Sequence, residues 1–177
     1  MVLSEIFSYV KIIIFAVVLA LIFTNFVIIN ARVPTGSMRD TIWEGDRLIG
    51  LRLSYTFSSP KRGDIVIFKF PDDESEIYVK RVIGTPNDVV QIKEGKVFVN
   101  GEELDEPYIK DYILDDGNEY TYIVPDGCYF MLGDNRNNSK DSRFWNNTYV
   151  RKEKIIAKVM FRYYSGEHKR VTFSLLK

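Results

Sequence analysis

The sequence predicts a mostly β body, antiparallel and barrel-like, carried behind one N-terminal transmembrane helix. Three observations lead there. Residues 12–29 form an uncharged apolar run. From residue 45 onward the chain breaks into short β-type runs separated by turn residues. Aromatic side chains are abundant, with eleven Tyr and twelve Phe, and these suit a pleated, half-buried surface.

As a helix, the run IIIFAVVLALIFTNFVII would span roughly 27 Å, close to the hydrocarbon thickness of a bilayer. It is longer than the apolar core of a cleavable leader, and no Ala-x-Ala-like site follows it, so a retained anchor is expected. Thr24 and Asn25 are polar interruptions near its outer end. Flanking charge sets no orientation, because Lys11 precedes the run while Arg32 and Arg39 follow it. Residues 1–31 are assigned to a stub and anchor, and 32–177 to the body, which is long enough to bury a core.

Candidate strands cover 47–53, 64–68, 77–83, 89–93, 96–99, 119–124, 129–132, 155–161 and 171–175. Asn100-Gly101 is a favoured two-residue hairpin turn. Pro60, Pro71, Pro86, Pro107 and Pro125 lie between runs or at their edges, where the missing N–H does least damage. The acid-rich stretch 101–118 reads as an irregular surface excursion.

Composition removes several function classes. Lys plus Arg equals Asp plus Glu at 24 each, so there is no bulk positive charge to attract nucleic acid. Cys128 is the only cysteine, which excludes an intrachain disulfide and a multi-cysteine zinc site. His168 is the only histidine, and its polar surroundings at 166–170 suit a surface position, which weakens Ser-His-Asp and Cys-His schemes. The polar run 133–143 lacks the acidic spacing and closing Glu of an EF-hand, so no metal is expected there.

Ser37 lies in Pro34-Thr35-Gly36-Ser37-Met38, on a short loop directly after the anchor, and is the candidate nucleophile. It needs a base. Lys80 and Arg81 are adjacent in the run 77–83 and must face opposite sides of a strand. Either both heads snorkel to water, or one cation is buried. At an ordinary pKa only about one lysine in 2,500 is neutral at pH 7, and bringing the value near 7 requires about 4–5 kcal/mol of desolvation. A lysine base therefore requires Lys80 to be buried. The run 133–143 is either a turn-rich loop or a rigid shell. In such a shell Asp141 could pair with Arg143, and Ser139 or Ser142 could orient a buried amine.

Taken in order, these pieces resemble type I signal peptidases, the membrane-bound Ser-Lys proteases of protein export. The family's Pro-Ser-Gly-Ser-Met stretch reads Pro34-Thr35-Gly36-Ser37-Met38 here, and its Lys-Arg pair followed by Gly reads Lys80-Arg81-Val82-Ile83-Gly84. Its Gly-Asp-Asn signature with Asn-Ser and Asp-Ser-Arg appears from Gly133 to Arg143. The short body resembles the compact Gram-positive forms. Thr35 replaces a serine but keeps the hydroxyl. Arg39-Asp40-Thr41-Ile42 replaces a residue followed by Pro-Thr-Leu, and Asn87 stands at a position where Gly is usual but where Asn can also turn left-handed.

The resemblance implies a division of labour. Ser37 is the nucleophile, Lys80 the base, and the Ser37 N–H with the Thr35 hydroxyl the oxyanion hole. Ser139 hydrogen-bonds the lysine amine, while Asp141, Arg143, Asp134 and Arg81 support the site. It implies no cofactor or metal. Substrates are signal peptides bound as an extended strand with small residues at the cleavage site. The N-terminus is cytoplasmic, and the body lies on the outer face of the cell membrane, beside the lipid bilayer. A self-cleaving Ser-Lys repressor and a non-catalytic, membrane-tethered binding module are the competing readings.

Overall fold

In the computed structural model, which describes residues 2–176, the apolar run does become a helix, but with shifted ends. Helix α1 spans Val2–Ile22 and passes into a π-helical turn at Phe23–Val27. The stretch Glu5–Val27 is long and apolar enough to cross a membrane, and none of it is buried against the body. Thr24 and Asn25 are tolerated because their side chains bond back to helix carbonyls, at Ala20 and Leu21, both at 2.9 Å. The last two residues of the apolar run leave the helix. Ile28–Arg32 forms strand β1, so a strand begins inside the segment that the sequence assigns to the anchor. Pairing decides this, since Ile28 to Arg32 match Leu51 to Arg47 of the next strand in unbroken antiparallel register.

The remaining strands follow the expected runs closely: β2 (Arg47–Leu51), β3 (Ile65–Lys69), β4 (Ile77–Gly84), β5 (Val89–Lys93), β6 (Lys96–Val99), β8 (Tyr120–Ile123), β9 (Cys128–Leu132), β11 (Ile155–Ser165) and β12 (Arg170–Leu175). Two short strands were not expected, β7 (Glu102–Glu103) and β10 (Val150–Arg151). The class is mostly β and antiparallel, as expected. The barrel-like description is loose, because the strands form two open sheets. One runs β1-β2-β11-β3-β4-β9-β10 with β12 on β11, and the other runs β7-β6-β5-β8.

Turn chemistry behaves as the residues dictate. Asn100 and Gly101 both take positive φ, 54° and 87°, which makes the β6–β7 hairpin. Asn87 takes φ 70° where a glycine would otherwise be favoured. Asp40 takes φ 82°, a value closed to proline, so the loop after the candidate nucleophile has a local shape of its own. His168 is exposed in the turn between β11 and β12.

Three apolar clusters hold the body together. The first packs Val33, Met38 and Ile42 against β2, β3 and β11. The second joins Phe68, Phe70, Val82, Tyr129 and Trp145. The third lies between the two sheets around Ile83, Val90, Phe130 and Leu132. The segment carrying Ser37 is thus fixed by its own buried neighbour Met38, which is 1% exposed.

Candidate active site

Strand β4 brings the cations in. Both are buried, Lys80 at 4% exposure and Arg81 at 1%, so neither snorkels to water. On one side Lys80 Nζ lies 2.5 Å from Ser37 Oγ and also donates to the Val79 carbonyl at 3.3 Å. On the other side Arg81 grips Asp134 through two bonds, Nε to Oδ1 at 2.9 Å and Nη2 to Oδ2 at 2.7 Å. Its third bond goes to the Gly63 carbonyl at 2.8 Å, and its guanidinium lies 3.8 Å from the centre of the Tyr108 ring.

Register explains the juxtaposition. Arg81 pairs with Leu132 at the end of β9, so the chain leaves the sheet at Gly133 directly beside Lys80 and Arg81. The polar run is the rigid shell rather than a plain loop. Asp141 and Arg143 form a bidentate pair at 2.8 and 2.9 Å, and Asp141 Oδ2 also accepts the Gly133 N–H at 3.1 Å. Ser142 does not orient an amine, since its Oγ accepts the Met131 N–H at 2.9 Å. Ser139 is buried, but its hydroxyl has no hydrogen-bond partner among the described residues, in contrast to the expected bond to the lysine amine. Lys80 is turned instead to Ser37 and its own strand.

Burial pushes the Lys80 amine down to about 8, against the opposing pull of Asp141 and then Asp134. Each of those carboxylates is held by an arginine, Arg143 and Arg81, which mutes that pull and lets desolvation win. At pH 7 about one Lys80 in ten is then neutral, against about one in 2,500 for an ordinary lysine. The pair opens onto a cleft of about 710 Å³ between β1 with the Val33–Met38 stretch on one side and Ile77–Lys80 on the other. Thr35 is exposed on its wall.

The chain matches the family model described as signal peptidase, peptidase S26, over residues 6–164. It belongs to that family. A signal peptidase I of Leptolyngbya laminosa is 40% identical over 172 residues, covering 91% of this chain and 81% of the relative. A probable signal peptidase I-2 of Synechocystis is 39% identical over 155 residues, with 84% and 69% covered. A signal peptidase I of Rickettsia bellii is 31% identical, with 86% and 71% covered.

Several residues that build this family member's site escaped sequence reading. Arg136 is buried, grips Glu106 through two bonds at 2.7 and 2.5 Å, and donates from Nε to the Gly133 carbonyl at 3.2 Å. Glu106 and Tyr108 come from the stretch 101–118, which is therefore a brace behind the site and not merely a surface excursion. Thr41 donates to Asp134 at 2.6 Å, tying the Ser37 turn to the same carboxylate. The sequence held no signal for Glu106 beyond its charge, because its partner lies 30 residues away.

Gly133 is packed so closely that an added Cβ would collide with the Ser139 side chain and the Ser37 carbonyl. We expect Gly133→Ala to displace the Ser37 turn and lower kcat about 10- to 100-fold, consistent with the sensitivity of near-attack geometry. Side-by-side kinetics and thermal melts would check this, since a loss of activity without a loss of melting temperature marks displacement rather than unfolding.

Proposed function

We propose that the chain is a membrane-anchored signal peptidase in which Ser37 is the nucleophile and Lys80 its base. The observation that carries the reading is the 2.5 Å approach of the buried Lys80 amine to Ser37 Oγ at the floor of an open cleft. Neutral Lys80 takes the hydroxyl proton as Oγ bonds the scissile carbonyl carbon, and the lysine then returns that proton to the leaving amine as the C–N bond breaks. Water, deprotonated by the same amine, cleaves the acyl-enzyme, and Ser37 recovers its proton. The Ser37 N–H and the Thr35 hydroxyl face the oxyanion, each contributing about 2.7–4 kcal/mol.

The cleft suits an extended peptide. Among the described residues, strand β1 pairs only with β2, and Ile77–Lys80 of β4 pair only with β3. Two free strand edges thus flank Ser37, which favours a signal peptide added as a strand, with small side chains selected by the apolar wall. The anchor runs through Val27 with the N-terminus in the cytoplasm, and the body works at the outer membrane surface, alongside the lipid bilayer. Asp141, Arg143, Asp134 and Arg81 support the dyad.

The test is cleavage of a preprotein by the wild type and Ser37→Ala in detergent. Wild-type cutting after a small-x-small site, with the variant at background, supports the reading. An active Ser37→Ala enzyme would remove it. The pH profile adds a second check. Lys80 acts as a base only when neutral, so kcat/KM should rise with pH through a midpoint near 8 and level off above it.

A further inference from the structure

We infer that Asn135 is a positioning residue for the oxyanion-binding N–H of Ser37, an inference that rests on the Ser37–Lys80 reading above. Asn135 makes two bonds to the nucleophile turn. Its Nδ2 donates to the Gly36 carbonyl at 2.9 Å, and its backbone N–H donates to the Ser37 carbonyl at 3.1 Å. The first of these is the informative one. The Gly36 carbonyl and the Ser37 N–H belong to one planar trans peptide, in which C=O and N–H point in opposite directions. A donor that fixes the Gly36 oxygen therefore fixes the direction of the Ser37 N–H. That N–H has no protein acceptor among the described residues, which leaves it available to a developing oxyanion beside Ser37. The Arg39 N–H holds the same Gly36 oxygen at 3.0 Å, and two donors on the carbonyl polarise the peptide toward a stronger N–H donor.

The platform behind Asn135 is rigid on both sides. Asp134 is locked by Arg81, and Arg136 by Glu106, both through buried bidentate pairs. Asn135 itself opens the 3-10 turn Arg136–Asn138, so its side chain starts from a backbone with little freedom. An amide carried on a mobile loop would not aim a peptide plane. One carried between two buried ion pairs can.

The experiment uses full-length protein in detergent and compares wild type, Asn135→Ala and Asn135→Asp. Both variants keep the backbone bond to Ser37, and the aspartate keeps the size while turning an acceptor toward the Gly36 carbonyl. Three quantities are read: kcat and KM on a preprotein, affinity for a peptide aldehyde ending in Ala, and the pH midpoint. The aldehyde's adduct with Ser37 carries the oxyanion, whereas the substrate ground state does not. For Asn135→Ala we expect kcat to fall about 10- to 100-fold, KM to stay within about twofold, and aldehyde affinity to fall by about the factor lost in kcat. The aspartate should lose at least as much. In Asn135→Ala the pH midpoint should remain near 8, because Asn135 does not touch Lys80, whereas the carboxylate added in Asn135→Asp should raise it. Unchanged kcat in both variants overturns the inference, as does a fall in kcat with aldehyde affinity intact, or, in Asn135→Ala, a midpoint that moves along with kcat. A wild type that neither cuts preprotein nor binds the aldehyde would instead remove the Ser-Lys reading, and this inference with it.

Discussion

Lys80→Met is expected to abolish cleavage while making the protein more stable at neutral pH. Methionine fills much of the same channel but offers no basic amine, so the loss in kcat should be on the order of 10⁴-fold, the upper range for a positioned base. Stability moves the other way because the native site charges Lys80 with difficulty. Its pKa of about 8 in the fold, against 10.5 when unperturbed, corresponds to about 3 kcal/mol of native-state cost. The sign follows from proton binding. Between pH 8 and 10.5 the unfolded chain holds more protons than the fold, so wild-type stability rises with pH across that window. The full cost is present below pH 8 and has gone by about 10.5. Denaturant titrations in detergent should therefore show Lys80→Met ahead by about 1–3 kcal/mol at pH 7, with the gap closing toward pH 10.5. A variant less stable than wild type at pH 7 would mean that the amine is not held against a desolvation cost.

Arg81→Ala should be the most destabilising single change near the site. Arg81 and Asp134 have side-chain exposures of 1% and 0%, and removing one partner strands the other charge where water cannot reach it. Breaking a buried pair in this way costs about 3–5 kcal/mol, a large part of a typical domain's stability. The Gly63 carbonyl and the Tyr108 ring lose their partner as well. A second effect separates this residue from a purely structural one. The unpaired Asp134 carboxylate would favour the charged amine of Lys80, so the activity midpoint should move above 8. Adding Asp134→Asn to Arg81→Ala removes that carboxylate, so the midpoint should return toward 8 and part of the stability should come back. If the single and double variants share one midpoint, Asp134 does not act on Lys80.

The strands and turns were legible because their causes are local. Short apolar runs bounded by turn residues marked nine of the twelve strands, and Asn100-Gly101 declared its hairpin turn through residue type alone. The strands that were missed have nonlocal causes. Ile28 and Ile29 look like the end of a membrane helix until β2 supplies a partner, and β7 and β10 are only two residues long. The same division runs through the site. Residue type and order singled out Ser37, Lys80 and the run 133–143, and they required that a basic Lys80 be buried.

What the sequence determined by itself, then, was most of the elements, the long apolar run and a candidate pair of residues whose proposed chemistry needs a shielded amine. Strand periodicity says that Lys80 and Arg81 face opposite ways, but not whether either face is covered. The tertiary structure covered both, one with the Ser37 turn and the other with Asp134 and Tyr108. It also placed Asn135 on the Gly36 carbonyl, set Glu106 against Arg136, and left the Ser139 hydroxyl without the lysine bond that its motif suggested. These outcomes depend on contacts between residues far apart in the chain, and a local pattern carries no record of where such loops close.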